Sequence, residues 1–231
     1  MRLLPLPGVF RPPSDARMLA DYVARERLAV DARVLDICTG SGFLAIAAAL
    51  AGAGEVAAVD ISRRAVVAVQ LNAAVNGVKV QALRGDLFSP VAGRRFDLIL
   101  SNPPYLPGDV SELPRRGLPR AWEGGRTGRE FIERIAAHAA EHLSERGQLL
   151  LVYSTVCGEA KTLELLRAGG LIPSVVLRRR GSLGPRLAAR ADWLRAEGLL
   201  LDGDEEEILI VRAERARVSA PAREAVASSV D

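Results

Sequence analysis

Apolar segments of four to six residues alternate with helical patterns along the chain from about residue 33 onward. Segments of this length, bounded by polar and glycine residues, predict β-strands. The last of them is apolar throughout, which is typical of a parallel strand buried on both faces. The five predicted strands are 34–37, 55–60, 78–83, 96–100 and 149–153.

Helical patterns fill the intervals between these strands. Residues 43–51 are rich in alanine and leucine, and glycines follow them to end a helix. A second helix is predicted from Ser62, a good N-cap, to about Asn76, where Gly77 stops it. A third is predicted at 129–145, where apolar residues recur at helical spacing.

This alternation predicts an α/β fold in which helices cover both faces of a mostly parallel sheet. The end of the chain departs from it, because 174–177 and 208–212 are predicted to pair as antiparallel strands around a helix-like stretch at 187–197. We therefore divide the chain into an N-terminal helical extension (1–32), one domain (33–213) and a tail (214–231). The tail lacks apolar periodicity, and we expect it to be disordered.

Composition favours an ordinary globular protein, since 49% of the 231 residues are hydrophobic and 26% are charged. The formal net charge is +3, and nearly all the positive charge is arginine, because Lys79 and Lys161 are the only lysines. Such an excess permits an acidic or RNA-containing partner without requiring one.

The sequence offers little to hold a metal ion or a disulfide framework. Cys38 and Cys157 lie far apart, which excludes a cysteine-based zinc site. His138 and His142 have i, i+4 spacing without an HExxH pattern, so we expect an exposed helix face and no metal. Prolines interrupt the N-terminus and no apolar run is long enough for a membrane span, so we expect a cytoplasmic protein.

A glycine-rich turn joins the first predicted strand to the first helix. Glycines at such a turn let a ligand approach the backbone closely and tolerate positive φ. The candidate cofactor-binding residues of this turn are Asp36, Cys38, Thr39, Gly40 and Gly42.

Acids also end the next two strands. Asp60 can accept both hydroxyls of a ribose, but together with the glycines it would equally suit NAD. Asp36 favours S-adenosylmethionine, because its carboxylate would repel a pyrophosphate and attract the ammonium group of a methionine moiety. Asp86 can then accept from an adenine amino group, with Leu87 and Ile61 on the two faces of the ring.

The sequence Asn102-Pro103-Pro104-Tyr105 directly follows the fourth predicted strand. Two consecutive prolines make a rigid corner, since each has a fixed φ and no N–H. The Asn102 side-chain oxygen and the Pro103 carbonyl can accept both hydrogens of a substrate –NH2, while Tyr105 stacks on the planar group. Held this way, a planar nitrogen points at a sulfonium methyl group, and positioning supplies most of the catalysis without a metal or a base.

Together these motifs resemble the HemK-like glutamine N5-methyltransferases, which modify the Gly-Gly-Gln loop of translation release factors. The resemblance covers about residues 9–177 and implies a class I S-adenosylmethionine-dependent methyltransferase fold with an antiparallel edge strand. It assigns the methionine part to Asp36, Gly40 and Gly42, the ribose to Asp60, the adenine to Asp86 and Leu87, and the substrate amide to Asn102. It also extends to Val9-Phe10-x-Pro12-x-x-Asp15 and to the loop Ala121-Trp122-Glu123-Gly124-Gly125-x-x-Gly128.

Three features depart from that family's pattern. Cys38 stands in place of a glycine, and Ala16 in place of a threonine. Only about 32 residues precede the first strand, where the bacterial enzymes carry a separate helical domain that grips the substrate. The chain is thus more similar to the short archaeal and eukaryotic branch, which in eukaryotes works with a small activator subunit.

Several functions remain open at this point. The first is methylation of a protein glutamine, with a release factor as partner. The second is methylation of an exocyclic amino group of adenine or guanine, with arginines contacting phosphates; these are Arg115, Arg116, Arg120, Arg126, Arg129 and Arg178 to Arg180. Further alternatives are a small-molecule or lysine methyltransferase and an NAD-dependent oxidoreductase, and a non-catalytic scaffold is the least favoured.

Overall fold

Seven strands form one sheet in the computed structural model, which describes residues 1–10, 12, 14–109, 113–114, 117–200 and 205–215. In chain order they are β1 Arg33–Ile37, β2 Glu55–Asp60, β3 Gln81–Arg84, β4 Phe96–Ser101, β5 Leu143–Ser154, β6 Leu171–Ser182 and β7 Glu205–Arg215. Across the sheet they are ordered β3-β2-β1-β4-β5-β7-β6.

The sheet is parallel from β3 to β5, and β7 runs antiparallel to both of its neighbours, β5 and β6. The predicted α/β fold with an antiparallel pairing at one edge is therefore confirmed. β7 lies one place inside that edge, and β6 forms the edge itself.

Helices cover both faces because the side chains of each strand alternate between them. Val34 faces the core beneath α1 Ser14–Arg25, α2 Phe43–Leu50 and α3 Arg63–Val75. Leu35 and Ile37 face the other core, against α4 Glu130–His142 and α5 Glu159–Ala168. The short helices α6 Pro185–Ala188 and α7 Ala191–Ala196 also pack on this second core, through Leu187 and Leu194.

The capping residues in the sequence predicted both ends of α3 correctly. The Ser62 side chain accepts a hydrogen bond from the Ala65 N–H at 3.5 Å, as expected of an N-cap. The helix ends just before Gly77, whose φ of +66° suits a glycine.

Several boundaries differ from the prediction. The predicted helix at 129–145 ends at His142, because Leu143 already has extended φ and ψ and pairs with Phe96 as the first residue of β5. The predicted strand at 78–83 is β3 at Gln81–Arg84, and the helix-like stretch at 187–197 is divided between α6 and α7.

The last strand crosses the domain boundary predicted at 213. β7 continues to Arg215, because Glu214 pairs with Gln148 of β5 and Arg215 pairs with Leu171 of β6. The rest of the predicted tail lies outside the described residues. Within the described part of the chain, no helix is both long enough and apolar enough to cross a bilayer.

Candidate active site

A cavity of about 1070 Å³ lies where the loops after β1, β2, β3 and β4 meet. The strand order reverses between β1 and β4, and open α/β sheets bind ligands at such a switch point. The wall is completed by two other groups of residues, which are Gly8, Val9, Phe10, Pro12, Ser14, Asp15 and Ala16 near the N-terminus and Arg179, Gly181, Ser182, Gly184, Pro185, Arg186 and Leu187 around the end of β6. Of the predicted site residues, the cavity is lined by Cys38, Thr39, Gly40, Asp60, Ile61, Asp86, Leu87, Asn102, Pro103, Pro104 and Tyr105.

The glycine-rich turn after β1 uses its two glycines differently. A Cβ on Gly40 would meet no atom within 4 Å, so this residue leaves open space at the cavity wall. A Cβ on Gly42 would come within 3.1 Å of Val69 in α3, so this glycine lets α2 and α3 approach. Cys38, which stands in place of a family glycine, has a φ of +61°. The turn thus keeps its left-handed backbone, at a local cost of about 1 kcal/mol.

Asp36 lies beneath this turn and is fully buried. One carboxylate oxygen accepts hydrogen bonds from the Thr39 hydroxyl at 2.5 Å and the Ala45 N–H at 3.1 Å. The other oxygen has no hydrogen-bond partner among the described residues. Burial raises the pKa of Asp36 to about 7, despite these two hydrogen bonds. Asp36 does not line the cavity, and its contact with a methionine ammonium group stays a prediction.

Asp60 ends β2 at the cavity wall. Its two carboxylate oxygens accept hydrogen bonds from the Gly40 N–H at 2.9 Å and the Ser62 N–H at 2.8 Å. These bonds orient the carboxylate and leave each oxygen a further lone pair for a ribose hydroxyl. Burial raises the pKa of Asp60, partly offset by the two N–H donors.

The residues predicted to hold the adenine all line the cavity. Ile61 is 40% exposed although it is a large hydrophobic residue, whereas Leu87 is buried. Asp86 forms an ion pair with Arg134 at 2.6 Å, which orients the carboxylate at the cavity wall.

The Asn-Pro-Pro-Tyr corner follows β4 without a gap. The Ser101 hydroxyl donates to the carbonyl of Ile37 at 3.0 Å and ties the ends of β4 and β1 together. Asn102 is half-buried at the cavity wall, and its side-chain amide has no hydrogen-bond partner among the described residues. The amide is therefore available to a substrate.

Tyr105 is fixed by residues that the sequence pattern did not single out. Its hydroxyl donates a very short hydrogen bond to Asp15 in the first turn of α1, and Asp15 accepts from Arg179 of β6 at 2.8 Å. Burial and the adjacent Asp15 raise the pKa of Tyr105 well above its usual range, so the phenol stays neutral. In the sequence, Asp15 was visible only as part of the family resemblance, and Arg179 only as one of three consecutive arginines.

Most of the arginines considered for phosphate binding are engaged within the protein. Arg126 pairs with Glu197, Arg129 with Glu133, and Arg178 with Glu159 and Glu207. Arg179 pairs with Asp15, and Arg180 pairs with Glu205. Arg120 lines the cavity, whereas Arg115 and Arg116 lie outside the described residues. These pairs reduce the positive charge that the loop could offer to nucleic acid.

Comparison with known proteins gives the family. The model of the methyltransferase small domain matches residues 1–114. A protein of Methanocaldococcus jannaschii, provisionally named a protein N5-glutamine methyltransferase, is 34% identical over 164 residues, which are 71% of this chain and 81% of that protein. The chain belongs to the HemK-like N5-glutamine methyltransferase family. It is a methyltransferase that uses S-adenosylmethionine, and the comparisons do not favour the NAD alternative.

Other similarities are partial or concern the fold alone. A release factor glutamine methyltransferase of Geobacter sulfurreducens is 37% identical over 68% of this chain, and the chain spans only 56% of that longer protein. Among solved structures, the E. cuniculi Mtq2–Trm112 complex matches with a TM-score of 0.62 and 20% identity, over 90% of this chain and 99% of that one.

The residues present fit S-adenosylmethionine. Gly40 leaves space where the ligand must pass close to the backbone, and Asp60 is already oriented by two N–H groups. Ile61 and Leu87 provide apolar surfaces for a ring. When bound, the cofactor supplies a methyl group on a positively charged sulfur.

Alanine substitutions in the glycine turn should separate ligand approach from helix packing. We expect Gly40→Ala to raise the Kd for S-adenosylhomocysteine about tenfold or more, because its methyl group enters the cavity. Its unfolding free energy should fall by only about 1 kcal/mol. Gly42→Ala should lower the unfolding free energy by about 2–3 kcal/mol, because its Cβ meets Val69. Calorimetric titration measures the Kd, and urea unfolding measures the unfolding free energy. Equal losses of unfolding free energy in the two variants would contradict the different roles assigned to Gly40 and Gly42.

The stability of the protein should depend on the charge of Asp36. Its folded pKa of about 7 lies above its ordinary value of 3.8, so between these values the folded state holds a proton that the unfolded state lacks. Stability therefore falls as the pH rises from about 4 through 7. We expect Asp36→Asn to be more stable than the parent by a few kcal/mol at pH 8, with the difference shrinking towards pH 5. A difference that does not change with pH in urea unfolding would contradict this.

Proposed function

We propose that the protein transfers the methyl group of S-adenosylmethionine to the side-chain amide nitrogen of a glutamine in a protein substrate, and that a release factor is this substrate. The observation that carries the proposal is the unengaged Asn102 amide, held at a proline corner beside the cofactor end of the cavity. The names of the relatives from Methanocaldococcus and Geobacter support the choice of acceptor.

The corner can hold a primary amide by its two hydrogens. The Asn102 side-chain oxygen and the Pro103 carbonyl each accept one N–H of the glutamine amide. This fixes the plane of the amide and leaves the face of its nitrogen directed towards the methyl donor. Positioning of this kind replaces a catalytic base as the main source of rate acceleration.

The chemical balance of the transfer is simple. A new N–C bond forms as the S–C bond breaks, and the sulfur leaves as a neutral thioether. The amide nitrogen loses one proton, which passes to solvent. The two oxygens of the corner stabilise the positive charge that develops on the nitrogen before this proton leaves.

Tyr105 supplies the wall against which the amide lies. Its hydroxyl is occupied by Asp15, and the Cys157 thiol donates to its backbone carbonyl at 3.0 Å. The hydroxyl and the main chain of Tyr105 are therefore both held in place. A fixed ring restricts the acceptor amide to one orientation, which favours in-line transfer.

The cofactor roles predicted from the sequence complete the proposal. The turn formed by Asp36, Cys38, Thr39, Gly40 and Gly42 would surround the methionine part. Asp60 would hold the ribose, and Asp86, Leu87 and Ile61 the adenine. Asn102 would contact both the cofactor and the acceptor. The closeness of these residues around one cavity supports the assignment, with Asp36 and Gly42 acting from behind the wall.

A small activator subunit is a further part of the proposal. It is supported by the family resemblance and by the fact that the E. cuniculi structural neighbour is itself a complex of two proteins. Co-expression of the chain with candidate small proteins of its host, followed by a comparison of activity with and without them, tests this part.

The acceptor should be a single glutamine. Incubation with labelled S-adenosylmethionine and a release factor should give one methyl group on the glutamine of its Gly-Gly-Gln loop, located by mass spectrometry of the digested product. A release factor in which that glutamine is replaced by alanine is the control. Equal labelling of both proteins would contradict the proposal, and labelling of added RNA or DNA would favour the exocyclic-amine alternative.

Loss of the Asn102 amide should affect the rate far more than cofactor binding. We expect Asn102→Ala to lower kcat/KM by about 10²–10³, the usual effect of removing one transition-state hydrogen bond. The Kd for S-adenosylhomocysteine should change only a fewfold. Gln148→Ala, an amide on β5 that does not line the cavity, is the matched control. An Asn102→Ala enzyme as fast as the parent would refute the role.

A further inference from the structure

The connection between β6 and β7 is attached to the loop that follows the Asn-Pro-Pro-Tyr corner. Arg190, between α6 and α7, donates to both carboxylate oxygens of Glu123 and to the carbonyl of Pro107 at 2.7 Å. The Glu123 side chain is only 5% exposed, so this ion pair is largely removed from water. Breaking such a pair leaves an uncompensated buried charge, so the attachment is strong.

Further contacts hold the two ends of the connection. Near its start, the Gly184 N–H donates to Glu206 at 2.9 Å. Near its end, Glu197 accepts from Arg126 at 3.0 Å, and the Arg126 guanidinium lies over the Trp193 ring at 5.8 Å. Between Gly184 and Glu197 the connection is therefore held at several points, and its residues 184–187 line the cavity.

This attachment brings three residues from distant parts of the sequence together in the cavity wall. They lie near the Asn-Pro-Pro-Tyr corner, because the Leu106 N–H donates to the Trp122 carbonyl at 2.8 Å. We call this part of the cavity the acceptor half. The Trp122 indole N–H donates to Glu123 at 3.2 Å, so the buried ion pair also orients the ring. The guanidinium of Arg186 lies over that ring at 4.1 Å, and 5.8 Å from the ring of Phe10. All three residues line the cavity.

Arg186 differs from its neighbour Arg179 in having no acidic partner. Arg179 pairs with Asp15, whereas no described residue forms an ion pair with Arg186, which is exposed. A guanidinium stacked on an aromatic face keeps its N–H donors in the plane of the group and directs them outward. A guanidinium with no acidic partner among the described residues can donate these N–H groups to oxygen acceptors of a bound chain.

We propose that Arg186, held on Trp122 and Phe10, binds main-chain carbonyl oxygens of the acceptor protein next to the methylated glutamine and so determines acceptor specificity. This inference rests on the proposed function. The tightly bound connection from β6 to β7 then serves as the acceptor-binding element, while the cofactor site is formed entirely by other loops.

Steady-state kinetics with a release factor test the proposal. We expect Arg186→Ala to raise the KM for the release factor about tenfold, because the stacked donors are lost. The Kd for S-adenosylhomocysteine should stay within about twofold of the parent value. Arg186→Lys should behave like Arg186→Ala, since an ammonium group cannot present a flat row of donors.

Further measurements show whether the change in KM comes from misfolding of the variant or from the loss of one positive charge. Arg180→Ala removes a neighbouring arginine of β6 that pairs with Glu205 and does not line the cavity, so its KM should equal that of the parent. The melting temperature of each variant reports on folding. An uncharged, end-blocked peptide containing Gly-Gly-Gln should show the same loss of affinity for Arg186→Ala at low and at high salt, because carbonyl oxygens carry no net charge.

The outcomes are distinct. An unchanged KM in Arg186→Ala, or an equal loss of affinity for S-adenosylhomocysteine, overturns the role of Arg186 while glutamine methylation stands. An effect that disappears at high salt shows that Arg186 binds an anionic group, which overturns the carbonyl assignment. If the parent enzyme methylates no glutamine at all, the proposed function and this inference both fail.

Discussion

The register between β1 and β4 determines how the two halves of the active site meet. Asp36 pairs with Leu100 and Ile37 pairs with Ser101, so the two parallel strands end level at one edge of the sheet. The glycine turn follows β1 and Asn102 follows β4, so both emerge side by side at that edge. A shift of one residue in either strand would turn its side chains to the opposite face and separate donor from acceptor.

Asp36 and Asp60 place two mutually repelling carboxylates at the cofactor half of the cavity, where the loops after β1, β2 and β3 meet, and Arg120 offsets the charge of Asp60 only in part. Hydrogen bonds from N–H or O–H donors lower the pKa of Asp36 and of Asp60, but burial has the larger effect and raises both pKa values. One oxygen of Asp36 finds no hydrogen-bond partner in the part of the chain that the structure describes, and such unsatisfied buried atoms are uncommon. A cationic ligand at this end would relieve the repulsion, whereas a pyrophosphate would increase it. The same reasoning that favoured S-adenosylmethionine from the sequence therefore applies to the folded protein.

Most of the residues predicted to bind the cofactor line one cavity, and the sequence signals that single them out are local. Each strand, the turn or acid that follows it, and the N-cap of α3 lie within a few residues of one another. The acceptor half could not be predicted in this way. Phe10, Trp122 and Arg186 become neighbours only after β6 has added to the sheet through β7, a pairing between segments about 30 residues apart. The boundary of β5 was missed for a related reason, because Leu143 is extended through pairing with Phe96 and not through its own sequence.

Two ion pairs that each contain a buried carboxylate, Glu123–Arg190 and Asp15–Arg179, hold the acceptor half together, and we infer that they serve specificity more than stability. Removing a carboxylate from water costs several kcal/mol, which the attraction to its arginine only roughly offsets. Apolar residues of similar volume would serve stability as well, but they would not fix one orientation of a ring. Glu123 orients the Trp122 indole and Asp15 orients the Tyr105 phenol, each by a hydrogen bond. An enzyme that relies on positioning an amide needs both rings in one place, which explains why polar pairs occupy sites that apolar packing could fill.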